Sequence, residues 1–135
     1  MTDPEEVFYG DLIRLHDRVV NSRDGASPGV INPGALEAAA ARPYGGFGGV
    51  EFFPTHFVKA AALMESVSQR HAFVDGNKRT GLLAAALLLG RAGYDLEFSE
   101  QESVDVTVGV AEHRLDMEDL AQWLENHAVA FDEEE

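Results

Sequence analysis

Apolar residues recur three and four positions apart over most of the chain, which is the spacing of one face of an α-helix. A first amphipathic helix is predicted from the Asp3-Pro4 cap to about residue 21. Asn32-Pro33 is a second cap of this kind and predicts a short alanine-rich helix that ends near residue 41. Pro54 is predicted to open a third helix. The apolar faces of the first and third helices are formed by Phe8, Leu12, Leu15 and Val19, and by Phe57, Ala60, Ala61, Met64 and Val67.

The segment over residues 79–91 is the most apolar predicted helix. Leucine and alanine cover nearly all of its faces, so we expect other helices to enclose it at the centre of the core. Capping patterns that begin at Ser99 and Asp116 predict two further helices, whose last residues lie near His113 and Phe131. Ahead of Ser99, the stretch "YDLEFS" alternates briefly and favours a short strand.

A glycine-rich, aromatic segment precedes the third helix. It reads "RPYGGFGGVEFFP" and holds four glycines and four aromatic residues in thirteen positions. This glycine density argues against a stable helix. The segment is compatible with an ordinary connecting loop, but solvated loops seldom carry so many aromatic side chains. It therefore also suits a mobile flap or a hairpin over residues 43–53.

Length and composition predict one compact all-α domain over residues 1–135, a helical bundle around the central apolar helix with a frayed acidic tail at 132–135. The chain has no cysteine, which excludes disulfides and thiolate chemistry. No apolar run reaches the ~18 residues of a membrane span, and the acidic start lacks the basic region of a secretion signal. We therefore expect a cytoplasmic protein.

The charge of the chain is strongly acidic, with 24 acidic against 10 basic residues and a formal net charge of −14. Such a surface should repel nucleic acid and anionic membranes, so neither direct DNA binding nor a membrane partner is predicted. It also serves solubility. Residues 70–79 are the exception, because they hold three cations and one acid.

This exceptional window overlaps the stretch "HAFVDGNKRT", residues 71–80, which joins the third helix to the central helix. The first N–H groups of a helix have no intrahelical acceptor, and the helix dipole makes that end partly positive. Gly76 permits a backbone turn that directs successive N–H groups to one point, and Lys78 and Arg79 add formal charge there. The combination predicts a polyphosphate site.

Two further residues of the turn fit phosphoryl chemistry. A carboxylate among phosphates is a common ligand of Mg²⁺, which suits Asp75. His71 is the side chain of the turn that can exchange a proton near neutral pH and act as a base. Asn77 either orients the loop or contacts a phosphate. Each residue alone has a simpler explanation in turn formation or solvation, but their spacing favours transfer of a phosphorus group from a Mg-nucleotide to a hydroxyl.

The spacing resembles the signature of the Fic/Doc family: histidine, any residue, phenylalanine, any residue, an acid, glycine or alanine, asparagine, glycine or lysine, and arginine. Residues 71–79 match every fixed position, and a less specific similarity covers roughly residues 10–125. The resemblance implies a Fic/Doc-type helical bundle. Lys78 followed by Arg79-Thr80 is the Doc-like form. It implies a toxin kinase that phosphorylates a threonine of elongation factor Tu, arrests translation and pairs with an antitoxin.

The resemblance also implies roles for the residues of the turn. His71 would be the general base, Asp75 the Mg²⁺ ligand and Phe73 an anchor on the core. The implied contacts to the phosphates of ATP come from Gly76, Asn77, Lys78 and Arg79. Of these, Lys78 and Arg79 would also counter the charge on the transferred group. The segment 43–53 falls where the family has its target-docking flap.

Three function classes stay open at this stage: a Doc-like kinase, a Fic-type nucleotidyltransferase that transfers AMP, and a non-catalytic binding module. Gly76 is compatible with AMP transfer. However, family members that transfer AMP generally have glycine at the position of Lys78 and a second arginine at the position of Leu82. A phage member of the family has alanine at the position of Gly76 and a polar residue at that of Leu83, and either difference could alter how a nucleotide is held.

The remaining histidines show no spacing of a helical metal site. They are His16, His56, His113 and His127. Of these, His127 falls on the apolar stripe of the last predicted helix, and we expect it to be a hydrogen-bonded residue of the core or its boundary.

Overall fold

The computed structural model describes residues 5–21 and 29–131, and most of these residues are helical. The helices of the described ranges are α1 (Tyr9–Asn21), α2 (Pro33–Ala41), α3 (His56–Arg70), α4 (Asn77–Arg91), α5 (Glu100–Ala111) and α6 (Met117–Asn126). The strands are β1 (Gly46–Phe47), β2 (Val50–Glu51), β3 (Tyr94–Leu96) and β4 (Ala128–Ala130), and one 3₁₀ turn covers Arg42–Tyr44. The predicted all-α class is confirmed, with short strands added to it.

Helices α3 and α4 pack closely against each other and share the centre of the fold. Contacts with α1, α3 and α5 enclose much of α4, as predicted, although Leu83 and Leu87 remain partly exposed. Helix α3 has nine buried residues and α4 has seven, so neither helix alone forms the centre. At Gly81 the two helices are so close that a Cβ atom would clash with Ser68 Oγ and lie 2.9 Å from the carbonyl oxygen of Met64.

Side-chain caps begin several helices at the predicted positions. Asn32 Oδ1 accepts the N–H of Ala35 at 3.0 Å, and Asp116 Oδ1 accepts the N–H of Asp119 at 2.8 Å. Ser99 and Glu102 form the predicted reciprocal capping box of α5. The Ser99 N–H, and after it the side chain of His127, lower the pKa of Glu102.

Several predicted helix boundaries are wrong. Helix α1 begins at Tyr9 rather than at the Asp3-Pro4 cap, which lies outside the described residues, as does the acidic tail at 132–135. Helix α4 begins at Asn77, two residues before the predicted start. No helix of the described ranges is long and apolar enough to cross a membrane.

The end of the last helix is the largest error. Helix α6 stops at Asn126, so Phe131 lies beyond it. The residues that follow form β4, which pairs antiparallel with β3 and sets Ala128 opposite Leu96. The short strand predicted in "YDLEFS" is thereby confirmed. Its partner was missed because β4 is only three residues long and its pattern also fits the helix before it.

The glycine-rich segment forms a β-hairpin, which confirms one of its predicted alternatives. Gly48 and Gly49 make the two-residue connection, and both have positive φ, at 60° and 83°, as the favoured hairpin turns require. Phe47 and Phe52 are largely exposed. The buried Lys59 holds the end of the hairpin by donating to Glu51 Oε1 and to the carbonyl oxygen of Phe53, each at 2.6 Å.

Candidate active site

The turn between α3 and α4 is anchored on its inner side by Phe73. This residue is 1% exposed, and its ring stacks on the buried His16 of α1 at a centroid distance of 3.7 Å. His16 Nε2 also donates to the carbonyl oxygen of Asp75 at 2.8 Å. On the other side, the N–H of Ile31 donates to the carbonyl oxygen of Ala72 at 2.8 Å. Distant parts of the chain thus fix the path of the turn.

Asn77 closes the turn from within. Its Oδ1 accepts the N–H of Phe73 at 3.1 Å, and its Nδ2 donates to the carbonyl oxygen of Phe73 at 2.9 Å. Of the two roles considered for this amide, the structure shows loop orientation. The side chain is committed to Phe73, so a contact with phosphate would have to come from the backbone N–H of Asn77.

The first backbone N–H groups of helix α4 have no acceptor within the helix. No side chain caps its N-terminus, and Thr80 is the first residue whose N–H reaches a carbonyl of the helical pattern, that of Gly76, at 3.0 Å. The N–H groups of residues 77–79 precede that bond and have no intrahelical acceptor. Since the dipole makes this end partly positive, the start of α4 is suited to an anion.

Gly76 has the left-handed backbone that the predicted turn requires, and it also packs closely against α1. Its φ of +82° favours glycine, and a Cβ atom would lie 3.0 Å from Val19 Cγ1 and 3.6 Å from His16 Nε2. The side of Gly76 on which a Cβ atom would lie therefore faces α1. The Gly76 N–H donates to Asp75 Oδ1 at 2.7 Å, so it is already engaged. The free donors begin one residue later.

All six predicted site residues line one cleft of about 400 Å³, namely His71, Asp75, Gly76, Asn77, Lys78 and Arg79. His71 ends α3 with a left-handed backbone, at φ 54°, and its side chain is exposed. Lys78 and Arg79 are exposed too, and neither forms an ion pair within the described part of the chain. The cleft lining thus brings together a histidine, a carboxylate and the partly positive N-terminus of α4, whose two cations have no ion-pair partner among the described residues.

A sequence model described as the Fic/DOC family matches residues 7–89. This span is more than half of the 135 residues and contains the whole turn. The chain belongs to the Fic/Doc family.

Two relatives within the Fic/Doc family cover most of the chain. Toxin Doc of Mycolicibacterium smegmatis is 39% identical over 99 residues, which is 72% of this chain and 76% of that protein. Protein kinase doc of Escherichia phage P1 is 36% identical over 114 residues, which is 84% of this chain and 88% of that protein. This Fic/Doc protein is therefore Doc-like, as the motif indicated.

The cleft of this Fic/Doc protein fits a Mg-nucleotide. The described residues contain no cluster of three or more histidine, cysteine or acidic side chains that would enclose a metal ion. Asp75 is the acidic residue of the cleft lining. Mg²⁺ commonly takes one or two protein carboxylates and completes its shell with phosphate oxygens and water. One carboxylate beside free helix N–H groups and two cations meets that requirement.

A second groove adjoins the cleft and shares Lys78 and Arg79 with it. It has a volume of about 800 Å³ and runs between α1, α4 and α5. Its apolar lining includes Leu82, Leu83 and Phe98. The groove lies on the side of α4 where Leu83 is partly exposed.

Sequence reasoning missed four residues that shape the cleft: His16, Ser68, Gln69 and His113. His16 supports the turn from α1, while the other three line the cleft. His16 and His113 are 55 and 42 residues away from His71 in the sequence, so local spacing contains no signal for them. The one available signal was that Ser68 and Gln69 lie three and two residues before the motif.

Proposed function

We propose that this Fic/Doc protein is a Doc-like toxin kinase that transfers the γ-phosphate of Mg-ATP to a serine or threonine hydroxyl of a translation factor. The observation that supports this most strongly is the joint lining of one cleft by His71, Asp75 and the uncapped start of α4. A base, a metal ligand and an anion site are the parts that phosphoryl transfer needs. Elongation factor Tu is the first candidate target, which the family resemblance suggests.

In the proposed reaction the His71 imidazole takes the proton of the target hydroxyl. The hydroxyl oxygen forms a bond to the γ-phosphorus, the bond from that phosphorus to the bridging oxygen breaks, and ADP leaves. Lys78, Arg79 and the free N–H groups of the first turn of α4 stabilise the negative charge that spreads over the transferred group. Mg²⁺, held by Asp75, would neutralise phosphate charge when bound.

Transfer of the γ-phosphate is favoured over transfer of AMP by Lys78 and Leu82. Family members that transfer AMP generally have glycine and arginine at these two positions. The similarity to a phage protein named a protein kinase points the same way. A purely binding role is disfavoured because the full set of polar residues is present and shares one cleft.

The proposed partners are the translation factor and an antitoxin. The segment 43–53, which contains the hairpin of β1 and β2 and the exposed Phe47 and Phe52, is the proposed docking element, since the hairpin edge can pair with an extended target segment. An antitoxin is proposed from the similarity to a protein named Toxin Doc. A target in translation makes the cytoplasm the proposed location. Co-expression with the product of a small neighbouring reading frame should relieve toxicity if that product is the antitoxin.

The decisive experiment incubates the protein with Mg²⁺, candidate translation factors and ATP labelled at either the γ- or the α-phosphate. Transfer of label from γ-labelled ATP but not from α-labelled ATP supports the proposed kinase activity. Transfer of label from α-labelled ATP would replace this proposal with nucleotidyl transfer. If the protein neither transfers label nor binds nucleotide, only a non-catalytic binding module is left.

Variants at His71 test its role as the base. Because His71 has positive φ, His71→Ala also adds backbone strain, whereas asparagine tolerates the left-handed region. We expect both His71→Ala and His71→Asn to lower the transfer rate by about 10²- to 10⁴-fold while keeping Mg-ATP binding. His56→Asn is the matched control, because His56 does not line the cleft and asparagine keeps a donor for Glu5. Equal rates in His71→Asn and wild type would contradict the assignment.

A further inference from the structure

Two non-glycine residues in the described ranges have a left-handed backbone, and both are histidines. They are His71, with φ 54°, and His113, with φ 60°. Both line the same cleft. Positive φ is uncommon outside glycine and costs free energy, and such residues cluster at functional sites. His113 thus shares the unusual backbone and the location of the proposed base, although the family motif does not include it.

His113 occupies a position that glycine usually fills. The end of α5 forms a Schellman motif, in which the N–H of Arg114 donates to the carbonyl oxygen of Gly109 at 2.8 Å and that of His113 to the carbonyl oxygen of Val110 at 3.1 Å. The residue in left-handed conformation in this motif is most often glycine because it lacks a Cβ atom. Helix termination alone would therefore be served better by glycine than by histidine.

Gln69 contacts this ring through its side-chain amide. Gln69 Nε2 donates to the carbonyl oxygen of Val110 at 2.9 Å, which establishes the orientation of the amide because a carbonyl can only accept. The same Nε2 lies 3.3 Å from His113 Nδ1. Since the amide nitrogen is a donor, this contact favours the neutral tautomer in which Nδ1 accepts and the proton is on Nε2. That tautomer would give the cleft lining, to which His113 belongs, an N–H donor.

We propose that His113 is a nucleotide-binding residue whose Nε2–H donates to a phosphate oxygen of bound Mg-ATP. The proposal rests on the proposed function, because it adds a donor to the same site. It follows from three features: the contact of Nδ1 with Gln69, which favours a donor at Nε2, a cleft that already contains free N–H groups and cations, and a backbone conformation that is uncommon outside glycine. Gln69 is the positioning residue, since it acts through His113.

The binding test compares wild type with His113→Gly by calorimetry, with a Mg-bound, non-hydrolysable ATP analogue as the probe. We expect the dissociation constant of His113→Gly to rise by roughly ten-fold, as loss of a hydrogen bond to a charged group would cause. The melting temperature without nucleotide should be unchanged or higher, because glycine removes the strain at positive φ. His56→Asn should match wild type in the binding assay.

A second measurement tests the tautomer without any nucleotide. Long-range ¹H–¹⁵N correlation spectra of the neutral His113 ring should show the proton on Nε2 in wild type. In Gln69→Leu, which has no amide, this preference should weaken, and the dissociation constant should rise by a few-fold. A proton found on Nδ1 in wild type would overturn the proposed geometry.

The outcomes separate this inference from the function on which it rests. If wild type binds the analogue and His113→Gly binds it equally well, the role of His113 is refuted while the kinase proposal stands. If wild type binds no Mg-nucleotide, both proposals fall. Weaker binding by a His113→Gly protein that melts no lower than wild type supports the inference, because it cannot be attributed to loss of folding.

Discussion

Replacing Asn77 by alanine should loosen the active-site turn from within. The substitution removes two hydrogen bonds to the backbone of Phe73, of 3.1 Å and 2.9 Å, and leaves an N–H and a carbonyl beside a ring that is 1% exposed. A buried backbone group without a partner costs about 1–3 kcal/mol. Asn77 is only half-buried, so the lower half of that range applies to each group. The total is about 3 kcal/mol, or roughly 10 °C in melting temperature for a domain of this size.

The same change should weaken Mg-ATP binding. Asp75 and the first turn of α4 are connected through this part of the chain, so a loosened turn no longer holds the carboxylate and the free N–H groups together. Asn77→Asp separates the two bonds of the amide. Aspartate can still accept the N–H of Phe73 but cannot donate to its carbonyl oxygen, and it adds a negative charge beside the proposed phosphate site. We expect weaker binding in this variant as well.

Urea and thermal unfolding, together with calorimetry of Mg-ATP binding, measure these effects. Asn126→Ala is the matched control, because Asn126 lies at the exposed end of α6 and only accepts a surface hydrogen bond from Gln122. Its stability should stay within about 0.5 kcal/mol of wild type. If Asn77→Ala has the same melting temperature as Asn126→Ala and binds Mg-ATP as tightly as wild type, the proposed role of Asn77 in holding the turn is refuted.

Two further predictions concern interactions outside the cleft that hold the helices together. Hydrogen bonds from Arg91, and after them from the Phe8 N–H and Arg14, outweigh burial and lower the pKa of Asp11 from 3.8 to about 2, a difference worth about 2 kcal/mol of stability above pH 4. Because the pKa of Asp11 is lower in the folded state, this contribution should disappear as the pH falls from about 4 to about 2. The free energy of unfolding of Asp11→Asn should therefore depend less on pH in that window than that of wild type. Equal pH dependence of the two proteins would contradict this. Gly81→Ala should lower the melting temperature and weaken Mg-ATP binding, since its Cβ atom would force α3 and α4 apart just below the cleft. Gly90→Ala, whose Cβ atom would meet nothing within 4 Å, should change neither the melting temperature nor Mg-ATP binding. Equal melting temperatures of the two variants would refute the packing argument.

The sequence by itself determined the features that depend on residues a few positions apart. The caps at Asn32, Ser99 and Asp116 were predictable because each side chain bonds a backbone N–H three residues later. The hairpin was predictable as one of three alternatives, since paired glycines supply the positive φ of its turn. The motif from His71 to Arg79 indicated the family because its fixed positions lie within a single turn between helices.

Only the tertiary structure decided which distant residues complete the site. His16 supports the carbonyl oxygen of Asp75 from 59 residues away, and Gln69 meets His113 across 44 residues. The same holds for the pairing of β4 with β3, which ended the last helix earlier than its apolar pattern predicted. Periodicity specifies which face of a helix is buried, but not which helix covers it or at what height. Those relations depend on how α1, α3, α4 and α5 pack together, and that packing brings a second histidine to the cleft.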